Sequence, residues 1–141
     1  MGKSFMNNEQ NKKDLVMEWI LRAQDDEFNI SGILKERNGT PMHVCFISQQ
    51  MAEKYLKALL LFHSGDYTKI HNLAALVALI SSYDKSISDE LVGSVLILDP
   101  YYIEARYPAD IPVESFTWEM AKEAYESAKK IKTYVLSKMD K

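Results

Sequence analysis

Between Met42 and Ser64 the chain is apolar on nearly every side of a helix, and this stretch constrains the fold more than any other. Val44, Ile47, Met51, Tyr55, Ala58 and Phe62 recur at three- and four-residue steps, which makes one helical stripe. Cys45, Ala52, Leu56 and Leu59 widen that stripe until it covers much of the circumference. A helix apolar almost all round must be wrapped by others, so the segment predicts the central helix of a bundle. A polar ridge interrupts it: Gln49, Gln50, Glu53, Lys54 and Lys57. Gly65-Asp66 then breaks the helix.

The flanking segments supply the wrapping. From about Asp14 to Lys35, Leu15, Trp19, Ala23, Ile30 and Ile33 fall on one stripe, with Asp26 among them. A carboxylate on an apolar stripe must be paired or must line an opening. Arg37-Asn38-Gly39 is a helix stop, and Pro41 opens the next element. A third helix is expected over about Ile70 to Ser81, with Leu73, Val77 and Ile80 inward. A fourth spans Ser86 to Leu98, capped by Ser86 or Ser88 with Asp89 and Glu90 in its first turn, and Asp99-Pro100 stops it. Tyr101 to Val113, rich in aromatics and proline, reads as an ordered loop. A last helix, from about Ser115 to Lys138, turns Ala121, Ala124, Ala128, Ile131 and Val135 inward. No period-two strand pattern appears, and short connections favour antiparallel neighbours, hence an all-α up-and-down bundle.

A length of 141 residues suits one domain, over 14–138, with polar residues 1–13 expected as a frayed tail. The single cysteine, Cys45, excludes an internal disulfide and a multi-cysteine zinc site, and its apolar setting makes it a small hydrophobe. Net charge is −3 and the isoelectric point about 5.6, without the bulk basic footprint of a duplex-binding protein. No apolar run approaches the roughly 20 residues of a membrane span, and the N-terminus has no hydrophobic signal core. The expected location is the cytoplasm, with no membrane partner.

Four features could carry chemistry. Glu53 and Lys57 are four apart in the favourable order, which as a plain helix pair is worth about 0.3 kcal/mol. Gln50 lies in line with them, and the ridge with Lys54 could also hold a polar ligand. His71, after a turn at a helix start, either pins that turn or acts as an acid or base. In Tyr101–Asp110, Arg106 could grip phosphate and Tyr107 stack on a base, or Arg106 could pair with a core carboxylate such as Asp26. Arg37 and His43 could stabilise charge and move a proton, but Gly39 and Pro41 between them deny a shared helical face. His43, His63 and His71 include no i,i+4 pair, so no metal site is expected.

The run Phe46–Ala58, then Ile70-His71-Asn72-Leu73, then Ala105-Arg106-Tyr107-Pro108-Ala109-Asp110, with Trp19 and Ala23 upstream, resembles the HEPN (higher eukaryotes and prokaryotes nucleotide-binding) family from about Leu15 to Leu136. The resemblance implies a four- to five-helix bundle, commonly a homodimer, similar to the C-terminal region of kanamycin nucleotidyltransferase. It also implies nucleotide binding, partnership with a minimal nucleotidyltransferase in a toxin–antitoxin-like pair, or both. Gln50, Glu53, Lys54, Lys57, His71, Arg106, Tyr107 and Asp110 are then the candidate ligand residues, with no cofactor beyond a nucleotide ligand. Ribonuclease members carry an Arg and a His separated by four to six residues on a late helix, whereas here Arg37 and His43 lie between the first two helices. That departure argues against an enzyme. A metal-independent ribonuclease acting through His71, His43 and an arginine such as Arg106, and a non-catalytic assembly partner, are the alternatives.

Overall fold

The apolar stretch forms helix α2 (Pro41–Ser64). Thr40 caps it by accepting from the His43 backbone N–H at 3.2 Å, and Pro41 occupies a first-turn position where no N–H is needed. Gly65 closes the other end with φ 78°, a left-handed turn that glycine adopts without strain. The computed structural model describes residues 5–66, 68–102 and 111–140, and among these the other helices are α1 (Phe5–Glu36), α3 (Leu73–Ile80), α4 (Ile87–Leu98) and α5 (Trp118–Met139). Two 3-10 turns, Asp99–Tyr101 and Val113–Ser115, complete the regular structure, and no strand occurs among the described residues.

Side-chain pairings give the helix directions. Arg37, just past α1, sits over the ring of Trp118 at the start of α5, and Glu27 pairs with Lys132 farther along α5, so these two helices are antiparallel. Phe46, early in α2, packs edge-on against Phe116, just before α5, with ring centroids 5.6 Å apart. At the far end, His63 of α2 stacks on Tyr83, while neighbouring Asp84 binds Tyr134 of α5. Helices α2 and α5 therefore run the same way. α4 starts beside Tyr134, to which Ser86 is hydrogen-bonded, and leads into Tyr101 beside Phe46, so it runs the opposite way. α1, α2, α4 and α5 thus alternate in direction, an up-and-down bundle with the short α3 as a fifth helix.

The core lies around α2, which packs most extensively on α1 and α5. Met51, Tyr55, Leu56 and Leu59 are fully buried, as are Ala121, Ala124 and Ala128, whose small side chains allow α5 to approach. Cys45 is buried too, and burial pushes its thiol up to about 11, leaving it protonated and inert at neutral pH.

Some boundaries differ from expectation for identifiable reasons. Helix α1 begins at Phe5, so the stretch before Asp14, expected as a frayed tail, is helical from that residue. Glu9, Gln10, Lys12 and Lys13 are polar but good helix formers, and Gln10 donates to Asp14 one turn on at 3.1 Å. The inward residues of α1 are Val16, Ile20, Ala23 and Ile30, whereas Leu15 is half-exposed. α1 turns left-handed at Arg37 (φ 55°) rather than at Gly39, with the Arg37 N–H donating to Ile33 O at 2.7 Å. Gly39 lies close to Ile33 instead: a Cβ there would sit 3.0 Å from that side chain, which would have to shift by a few tenths of an ångström. The last helix, expected from about Ser115, starts at Trp118 and is capped by Thr117.

Candidate functional site

The polar ridge of α2 is where the structure gathers chemistry. Successive turns of the helix put Gln49, Gln50, Glu53, Lys54 and Lys57 along one side, and the chain after Gly65 returns to set His71 against them. Asn72 caps α3 by accepting from the Ala75 N–H at 2.8 Å. Asp99 accepts from the Leu73 and Ala74 N–H groups at 2.7 and 3.0 Å, and Gln49 Nε2 donates to the His71 carbonyl at 3.2 Å. Three side chains thus fix the turn that carries His71.

Glu53 is the hub. Its Oε2 lies 2.9 Å from Lys57 Nζ and 2.8 Å from His71 Nδ1, with the Glu53 and Lys57 side chains only 11% and 5% exposed. A carboxylate on Nδ1 holds the proton there and leaves Nε2 as the ring nitrogen free to accept. The imidazole stacks on Tyr102, centroids 5.3 Å apart and planes inclined by 19°. Lys57 Nζ also lies 5.4 Å from the ring centre of Trp19, a cation–π contact that holds α1 against the ridge.

Lys54 is committed elsewhere. Its Nζ lies 2.5 Å from Asp26 Oδ2, so the carboxylate on the apolar stripe of α1 is paired, with Lys54. Burial raises the Asp26 carboxyl above the ordinary aspartate range, and the Lys54 hydrogen bond and charge offset only part of that rise. Trp19, Gln50, Glu53, Lys54, His71 and Tyr102 line one cleft of about 190 Å³.

Of the residues singled out from sequence, Gln50, Glu53, Lys54 and His71 therefore share a cleft, and Lys57 lies buried beneath it. Arg106, Tyr107 and Asp110 lie outside the described residues. Sequence reasoning missed Trp19 and Tyr102 as cleft walls. Trp19 had a signal: it stands seven residues before Asp26, two helical turns away on the same face. Arg37 is engaged by Leu34 O, to which its Nε donates at 3.1 Å, and by the Trp118 ring at 4.3 Å. Its guanidinium is thus taken up at the α1–α5 contact. Among the described residues no three His, Cys, Asp or Glu side chains gather as a metal would require, and no helix is long and apolar enough to cross a membrane.

A second polar cluster ties the far end of the bundle. Asp84 accepts from the Tyr134 hydroxyl and from Ser86 Oγ at 2.8 Å, and these bonds hold its carboxyl below the usual range against the cost of burial. Glu27 similarly accepts from Tyr125 at 3.1 Å and Lys132 at 2.7 Å. Both join elements distant in sequence, and Tyr134 also lines an open groove between α4 and α5 with Glu90, Leu91 and Lys130.

The family model of the HEPN domain matches residues 16–138. The crystal structure of an archaeal HEPN homologue is similar to this fold, with a TM-score of 0.70 and 28% identity, covering 87% of this chain and 96% of that one. No curated protein matches the sequence significantly.

Proposed function

Because the chain belongs to the HEPN domain family, we propose that it binds a nucleotide at the cleft between Trp19, Gln50, His71 and Tyr102, and that it does so as a homodimer or beside a minimal nucleotidyltransferase in a two-component pair. The observation that carries the reading is the Glu53–His71 contact. A buried carboxylate orients an imidazole toward an aromatic-lined opening, an arrangement more specific than a solvated helix face requires. Arg106, Tyr107 and Asp110 extend the same proposal from sequence, but the cleft does not rest on them. The test is thermal denaturation with ATP or GTP at millimolar concentration. Binding raises the melting temperature in proportion to the logarithm of ligand concentration, and His71→Ala removes the rise. No shift with any nucleotide refutes the proposal.

The same contact favours a second reading, metal-independent ribonuclease activity, because an imidazole with Nδ1 held and Nε2 free is arranged as a general base. Induced expression would then arrest growth, and His71→Ala would relieve the arrest. Equal growth with both forms excludes it.

A further inference from the structure

Resting on the nucleotide-binding proposal above, we infer that this cleft receives the base of the nucleotide rather than its phosphates. Size is the first reason: about 190 Å³ falls below the roughly 300 Å³ at which pockets for whole small-molecule ligands begin, so part of a nucleotide fits and the rest projects outward.

Charge is the second. Lys54 is the cation among the residues lining the cleft, and it is held by Asp26 at 2.5 Å. The next cation inward, Lys57, is bound to Glu53 and buried. A phosphate placed here would have to break one of these pairs and leave a half-buried or buried carboxylate behind, facing a second anion. No described cation of the cleft is free to receive it.

The rest of the cleft lining suits a base. Trp19 and the His71–Tyr102 stack offer aromatic surface to a flat ring. On the neutral His71 ring Nε2 accepts, because Glu53 occupies Nδ1. The exposed Gln50 amide, engaged by no other described residue, supplies one donor group and one acceptor for a base edge. Aromatic faces with a few fixed polar atoms are how bases are read out of a duplex context.

Competition calorimetry on the full chain tests this, using ATP, GTP, CTP and UTP, the four matching nucleosides, and inorganic tripolyphosphate. At least one nucleoside should bind within about tenfold of its triphosphate, and tripolyphosphate should not displace it. Gln50→Ala, at an exposed position outside the core, should weaken that nucleoside about tenfold at unchanged melting temperature. Displacement by tripolyphosphate, binding of triphosphates without any nucleoside, or an unchanged affinity in Gln50→Ala overturns the base assignment while leaving nucleotide binding intact. Absence of binding by every probe overturns both.

Discussion

Replacing Glu53 by Gln keeps the shape of the side chain and removes its charge, which isolates what the buried carboxylate does. On the sequence alone Glu53 and Lys57 make an i,i+4 pair worth about 0.3 kcal/mol. The exposed analogue is Arg22–Glu18 on α1, with side chains 65% and 54% exposed, which belongs to that class. Burial changes the scale. With Glu53 and Lys57 at 11% and 5% exposure, losing the carboxylate leaves an ammonium buried without a counter-charge, a cost of about 3 kcal/mol. For a domain of this size that lowers the melting temperature by roughly 10 °C. Urea denaturation should show a lower midpoint at unchanged slope. Lys57→Met should also destabilise, by about 2 kcal/mol, while the double variant Glu53→Gln/Lys57→Met, with both charges gone, should fall within about 1 kcal/mol of the parent. A loss under about 0.5 kcal/mol for Glu53→Gln, or a double variant as unstable as the sum of the singles, would refute the buried-pair account. The same variant frees His71 Nδ1, so nitrogen chemical shifts of that ring should report a mixed tautomer in place of a fixed one.

Burial holds the His63 imidazole below its ordinary pKa, between Phe62 and Tyr83 and with a buried Nε2 that has no hydrogen-bond partner among the described residues. The unfolded chain therefore gains protons before the folded one, and stability should fall as pH drops below about 6.5, with His63→Gln flattening that slope in urea midpoints measured from pH 8 to 5. Tyr134, pushed up to about 12 by burial and by Asp84, stays a donor at all working pH, and Tyr134→Phe should cost about 1.5 kcal/mol by denaturant titration. Gly65→Ala meets no neighbour within 4 Å, yet φ 78° should make it cost about 1 kcal/mol through backbone strain alone, and a neutral result would remove the left-handed cap from the account.

The bundle was legible because its strongest signal is periodic and local. The circumference of α2 demanded neighbours, and alanines at Ala121, Ala124 and Ala128 marked a helix that packs against it. Helix ends were less legible, since each depends on a contact made across the fold. Arg37 rather than Gly39 takes the left-handed conformation, and its guanidinium lies over the Trp118 ring of a helix far along the chain. The last helix starts at Trp118 rather than near Ser115, with Thr117 as its cap and Ser115 held in a 3-10 turn. The start of α1 was missed because low hydrophobicity was equated with fraying, although Glu, Gln and Lys favour helix as strongly as many apolar residues do.

At the site, sequence spacing placed Gln50, Glu53, Lys54 and Lys57 on one side of α2, which is a property of the helix alone. It paired Lys57 with Glu53 but could not say which carboxylate Lys54 serves. That assignment depends on α1: Asp26 comes within reach of Lys54 because α1 packs antiparallel along α2, and so leaves Glu53 to Lys57 and His71. Once both lysines are paired, the ridge ceases to be a cationic surface and becomes a neutral, hydrogen-bonded floor. Trp19 and the His71–Tyr102 stack stand around it as aromatic walls. The ridge that could hold a polar ligand thus offers, once folded, no unpaired lysine of its own: Lys54 ties α1 to α2, and Lys57 helps hold the carboxylate that fixes His71.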